Sequence, residues 1–234
     1  MWKRSELKQN AKLVLKRTYW LSFAVSLVAS ILAGVSSSAS TMNTMQIEFD
    51  IQFPTSVIVT VGLFSLLYGI FISSPLSVGL NNFFLTSRQY DVSLGRLFTT
   101  FSNGSFLNVV KVLFFRGLYI FFWSMLLIIP GIIKGYEYFF IPYILAENPE
   151  LPQERVFEIS KRMTQGEKFD IFILQLSFIG WELLGLAFCL VGINFVVPYI
   201  NATFAELYSA KRAQALMNGI VTEQELCGFH GDDM

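Results

Sequence analysis

Residues 51–87 form a run of 37 positions without one Lys, Arg, Asp, Glu or His, and most of them are Val, Ile, Leu, Phe, Gly or Ser. About 20 apolar residues let a helix cross a hydrocarbon core of roughly 30 Å, and soluble domains do not leave so long a stretch uncharged. The chain therefore reads as a membrane protein, for which the motifs of soluble active sites are a weak guide. Composition agrees: 53% of the residues are hydrophobic and 15% charged, against ~25% charged in ordinary globular domains. The formal net charge of zero hides a segregation of Lys and Arg to a few places along the chain.

The threading follows from those places. Residues 1–18 carry Lys3, Arg4, Lys8, Lys12, Lys16 and Arg17, with Leu7, Ala11 and Val14 at i, i+4 and i+7. This pattern predicts a basic amphipathic helix on an anionic membrane surface. An uncharged span follows over 19–35, in which Ser22, Ser26, Ser30, Ala33 and Ser37 make a seam where another helix can approach closely. A cleaved signal ending near Ser38-Ala39-Ser40 is the rival reading. The long basic region, and an apolar stretch above the usual ~7–15 residues, weigh against it.

A second span lies within 54–87, where Gly62, Ser65 and Gly69 form a small-residue face and Pro75 is expected to kink the helix by removing one i to i−4 hydrogen bond. Residues 88–108 read as a surface connection. The third span, 113–129, is stopped by Pro130-Gly131. Residues 131–146 rise only about 24 Å, so this fourth segment is a thin kinked span or a re-entrant one. Residues 147–170 read as an extramembrane amphipathic helix with Val156, Ile159 and Met163 on one side. The fifth and sixth spans fall at 171–191 and 194–208, and the last of these carries Pro198.

The expected fold is thus all-α, a polytopic transmembrane helical bundle of about six spans with Pro-kinked helices and amphipathic interfacial helices. One transmembrane domain covers 19–212, and 213–234 is a polar cytoplasmic tail. Sixteen of the 17 Lys and Arg fall on one side in this threading and only Lys134 on the other, which places both termini in the cytoplasm. Three Gly and Pro pairs, Gly69 with Pro75, Gly135 with Pro142 and Gly192 with Pro198, are compatible with three helical hairpins around a shared interior. Chance is the competing explanation, because Gly and Pro are common in membrane helices.

The stretches LLIIPGIIKGYEYFFIPYILAENPEL, SKRMTQGEKFDIFILQLSFIGWELL and VVPYINATFAELY, with the opening RSELKQNAKLVLKRTYW, resemble an uncharacterised family of small polytopic membrane proteins, a domain of unknown function found mostly in Gram-positive bacteria. The likeness extends over nearly the whole chain. It implies a multi-pass protein of the bacterial cytoplasmic membrane with no established reaction. More distantly the sequence is similar to membrane domains fused to some glycerophosphodiester phosphodiesterases, which carry no catalytic residues of their own.

Among single residues Glu182 is the sharpest, because it sits within the fifth span where ionisation is costly unless paired or hydrated. It is expected to face the bundle interior, either on a proton or cation path or as a hydrogen-bonded structural group, the latter being the weightier reading. Tyr199, Thr203 and Glu206 recur at i, i+4 and i+7, with Asn194 and Asn201 on a neighbouring face. They form the wall of a hydrated groove or, with Glu206 paired to Lys211 and Arg212, an interfacial ion pair. Lys134 and Glu137 are spaced to pair on one helix face.

Catalytic patterns do not occur: His230 is the one histidine, Cys189 and Cys227 lack metal-ligand spacing, and no GxSxG, HExxH or Walker loop is found. Neither an enzyme nor a nucleic-acid partner is expected, and no cofactor. Membrane lipids are the expected partners, together with another membrane protein, in a scaffold or interaction role. A small transporter using Glu182 and the polar face of the last span is the alternative.

Overall fold

The computed structural model describes residues 2–34, 53–89, 93–102, 104–187 and 191–226. All regular structure among them is helical: α1 (Arg4–Gly34), α2 (Thr55–Tyr68), a π-helical segment (Gly69–Ser73), α3 (Ser74–Ser87), two short connecting turns, one 3-10 (Leu94–Phe98) and one α-helical (Thr99–Ser102), α4 (Phe106–Leu126), α5 (Ile128–Glu137), α6 (Ile141–Glu147), α7 (Gln153–Thr164), α8 (Lys168–Leu176), α9 (Ile179–Ala187) and α10 (Val191–Met217). Three helical stretches, Arg4–Gly34, Thr55–Ser87 and Phe106–Leu126, are long and apolar enough to cross a membrane. They mark a membrane protein, but they do not make up the six continuous spans expected.

The difference has local causes. Nothing in Arg17-Thr18-Tyr19-Trp20 can break a helix, so the basic residues and the apolar residues after them form the single helix α1 rather than a surface helix followed by a span. Near Pro130 the helix breaks earlier than the proline. Leu127 is extended, with φ −159° and ψ 141°, and Pro130 then occupies the first turn of α5, where a missing N–H costs nothing. The return arm α5 is ten residues long and ends at Tyr138. Ser177 and Phe178 separate α8 from α9. On Thr55–Ser87 the expected kink at Pro75 takes the form of the π turn Gly69–Ser73, where the Ser74 N–H bonds back to the Gly69 carbonyl and its hydroxyl donates to the same oxygen at 2.9 Å.

The three post-proline arms nevertheless meet. Asn82 on α3 donates to the Ala146 carbonyl of α6 at 2.8 Å, and Tyr143 of α6 stacks on Tyr208 of α10 with ring centroids 5.4 Å apart. Around them Phe83, Phe140, Ile144, Ile159 and Leu207 are buried. Helix α7, expected outside the bundle, packs its Val156, Ile159 and Met163 into this same core. The chain beyond α10 also returns to it, with Val221 and Leu226 buried. Cys189, Cys227 and His230 lie outside the described residues.

Apolar surface is left at the other end of the molecule. Helix α2 buries only Ser65. On the expected small-residue face, Gly62 has open space beside it while Ser65 is covered. Residues 121–129, from Phe121 to Ile129, are exposed without interruption. A continuous apolar surface of this kind is what lipid covers. Glycine permits the hairpin packing: a Cβ on Gly131 would lie 2.8 Å from Ser124 Cα, and one on Gly192 would lie 2.5 Å from the Gly185 carbonyl oxygen.

Gly131→Val should therefore force the α4–α5 hairpin apart and lower the unfolding temperature in detergent, at a cost of about 1–3 kcal/mol as for other overpacked sites. Gly117→Val, on α4 with nothing within 4 Å, should leave it unchanged.

Candidate functional site

The polar half of α10 projects charged and hydroxyl groups in several directions. Glu206 receives Arg88 from the end of α3 in a forked contact, Nε to Oε1 at 2.6 Å and Nη2 to Oε2 at 3.3 Å, while Nη1 of the same arginine donates to Ser209 Oγ at 2.6 Å. Tyr208 donates to Glu147 Oε2 at 2.7 Å, and Arg212 Nε donates to its Oε1 at 2.6 Å. Lys211, buried, bonds Glu167 Oε1 at 2.9 Å and Gln214 Oε1 at 2.8 Å, and the second oxygen of Glu167 accepts the Trp2 indole N–H at 2.5 Å.

The expected partner of Glu206 is thus corrected. Lys211 and Arg212 are five and six residues on, about 140° and 240° round the helix, whereas a pair on one face needs a spacing of three or four.

A second node sits where α5 ends. Glu137 holds Lys134 at 2.8 Å and Lys168 at 2.6 Å, one on each carboxylate oxygen, and its backbone carbonyl accepts from Ser160 Oγ at 2.8 Å. The expected Lys134–Glu137 pair is present. Lys134 does not stand apart from the other basic residues, however, because Lys168, expected on the opposite side, shares its carboxylate. The short return arm brings this about. Arg116, from the middle of α4, donates to the Tyr138 carbonyl at 3.0 Å, supplying a donor and a positive charge to the C-terminal end of α5.

A third clamp fixes the segment after α10. Arg155 bonds Glu225 at 2.6 and 3.0 Å, Glu158 at 2.8 Å and the Ile220 carbonyl at 2.7 Å. The Arg155 guanidinium holds the Glu225 carboxyl down to about 2, and Glu225 in turn raises Arg155. Among the described residues six glutamates, 137, 147, 158, 167, 206 and 225, have both oxygens engaged, Glu158 by Arg155 and Arg162. A carboxylate so saturated orients helices and is unavailable as a general base or ligand. Among the described residues no group of three His, Cys, Asp or Glu could hold a metal.

Glu182 departs most from expectation. Its side chain is exposed and makes no hydrogen bond or ion pair among the described residues. The reason is that 171–191 is not one span: Ile171 and Leu174 on α8 are buried in the charged core, so the apolar segment restarts at Ile179 and puts Glu182 in the first turn of α9. Lys8 marks that level, its ammonium lying over the Phe178 ring at 4.4 Å.

The stripe on α10 is divided as well. Tyr199 lies under Lys12 with 5.6 Å from Nζ to the ring centroid, and Thr203 bonds back to the Tyr199 carbonyl at 2.8 Å. Glu206 faces Arg88. Asn194 and Asn201 are partly buried, and Pro198 is buried inside the unbroken α10. The residues that hold the site together, Arg88, Glu147, Arg155, Glu167 and Glu225, carry no local signal in sequence. Arg88 and Glu206, for example, are 118 positions apart.

With this geometry in place, the likeness to known proteins can be located. Residues 125–215 match the model of a family described as a protein of unknown function (DUF975). The match begins at the tip of the α4–α5 hairpin and ends within α10, and so takes in Glu137, Glu147, Glu167 and Glu206. It bears out the resemblance to an uncharacterised family over that part of the chain and does not reach the basic opening. Neither a curated protein nor a solved structure matches the sequence.

Two outcomes follow. Glu206→Leu should cost about 2–3 kcal/mol, below the ~3–5 of a fully buried broken pair because Arg88 keeps some solvent access. The double change Arg88→Met with Glu206→Leu should recover much of it in thermal unfolding. Glu225, whose folded pKa lies below the ordinary carboxylate value of 4.5, contributes stability above that value, and the contribution drains away as pH falls toward 2. Glu225→Gln should remove about 1–3 kcal/mol at neutral pH and flatten the decline in melting temperature between about pH 5 and 2.

Proposed function

We propose that this chain is a non-catalytic scaffold of the bacterial cytoplasmic membrane, a charged helical core at the cytoplasmic surface carrying apolar helices into the lipid. The observation that supports it best is the saturation of the six glutamates by residues of the chain itself. That arrangement fits a body whose charges hold helices together better than one whose charges handle a substrate. Both termini face the cytoplasm in this reading, which the concentration of Lys and Arg favours, and Lys134 falls on the same side through Glu137. Membrane lipids and another membrane protein are the partners, and no cofactor or nucleic acid is involved.

The transporter alternative rested on Glu182 meeting a hydrated polar face. Its exposed side chain in the first turn of α9, bonded to no described residue, argues against it.

Reconstitution decides between the two classes. Proteoliposomes containing the chain should show no ion-linked flux above empty vesicles, and Glu182→Gln and Glu182→Leu should both leave insertion unchanged and stability within about 0.5 kcal/mol. A flux that the wild type supports and Glu182→Gln abolishes would overturn the scaffold reading in favour of transport. For orientation, a C-terminal tag should be protected from protease in intact cells and cleaved in inverted vesicles.

A further inference from the structure

Between α1, α9 and α10 runs a groove of about 580 Å³ whose lining includes Lys12, Lys16, Tyr19, Trp181, Phe195 and Tyr199. That volume lies within the ~300–1,000 Å³ typical of sites for small organic ligands. Its two halves differ chemically. Lys12 and Lys16, both exposed and one helical turn apart on α1, make no ion pair among the described residues, and Lys12 has only the Tyr199 ring beneath it. No carboxylate lines the groove, so this couple is a local excess of positive charge. Beyond it the groove is aromatic and apolar. The Tyr19 hydroxyl is already committed to the Phe195 carbonyl at 3.2 Å, which closes the wall between α1 and α10 without offering a polar group to the cavity. Glu182, next to Trp181, lies about 100° further round α9 and is not part of the lining.

The groove also sits where α1 changes character, between its last basic residues and the uncharged stretch that follows, with Tyr19 and Trp20 at the join. Aromatic side chains favour the headgroup level of a bilayer, and Lys above them faces the phosphates. We infer that this groove binds one anionic phospholipid, its phosphate between Lys12 and Lys16 and an acyl chain along Tyr19, Trp181 and Phe195. The inference rests on the reading of the chain as a membrane protein but not on its role as a scaffold.

The full chain, purified in mild detergent, can be titrated with dioleoyl phosphatidylglycerol and, separately, dioleoyl phosphatidylcholine under native mass spectrometry. One phosphatidylglycerol should be retained in clear preference to phosphatidylcholine. Lys12→Gln with Lys16→Gln should weaken its retention roughly 10- to 30-fold, at about one surface-lysine contribution each. Lys3→Gln with Arg4→Gln, which removes the same charge from the same helix away from the groove, should not.

A phosphatidylglycerol carrying a diazirine on one acyl chain should label peptides containing Trp181 or Phe195. Equal retention of the two lipids, equal loss in both double variants, labelling confined to other helices, or full displacement by millimolar inorganic phosphate would each overturn the proposal. The last of these would reveal a site for a free anion. Recovery of the chain in the soluble fraction of lysed cells would instead overturn the membrane reading on which the inference rests.

Discussion

A carboxylate without access to water has to be bonded through both oxygens, and the whole arrangement of this chain turns on how its glutamates meet that demand. The Glu147 side chain is fully buried and is satisfied by Tyr208 and Arg212 from one helix, so α6 and α10 are held in a single register. Glu206 does the same for α10 and α3, and Glu167 for α10 and the N-terminal residues. Moving α10 by one residue would strand three buried charges together. Much of the fixed geometry therefore lies in the polar end, even though the sequence is dominated by apolar residues.

Once the helices are tied at that end, their apolar parts need only each other and lipid. Membrane helices gain little from burying apolar surface against one another, because hydrocarbon solvates it equally well. Close approach occurs where backbones can meet, at Gly131 against Ser124, Gly185 against Gly192 and Gly79 against Leu97. Short arms are tolerated for the same reason. Helix α5, at ten residues, rises about 15 Å, half of what a crossing needs. Its C-terminal end is accommodated because Arg116 bonds the Tyr138 carbonyl.

Composition and charge spacing made the helical class, the three long apolar helices and the Lys134–Glu137 pair legible, since each depends on residues within one helix. The six-span threading goes beyond the three long apolar helices because it read hydrophobicity alone. Ile171 and Leu174 look like membrane residues and are instead core residues of the charged end, and this carried the expected place of Glu182 with it. Apolar periodicity states that a face is buried without saying whether protein or lipid buries it. The long-range clamps were beyond reach for a different reason. Arg155 and Glu225 are 70 residues apart, and no spacing rule connects them.

The basic opening gains its meaning from the same partition. Lys8 bonds the Ser177 carbonyl at the break between α8 and α9, and Trp2 bonds Glu167, so the first turns of α1 are part of the charged end rather than a detachable surface helix. A helix pinned there and running without a break into its apolar half has one rotational setting about its axis. That setting turns Ser22 and Ser26 into the protein and leaves Lys12 and Lys16 facing out at the join. Those two lysines are left unpaired by the geometry of a continuous helix, and the lipid phosphates at that depth are the charge that can complete them.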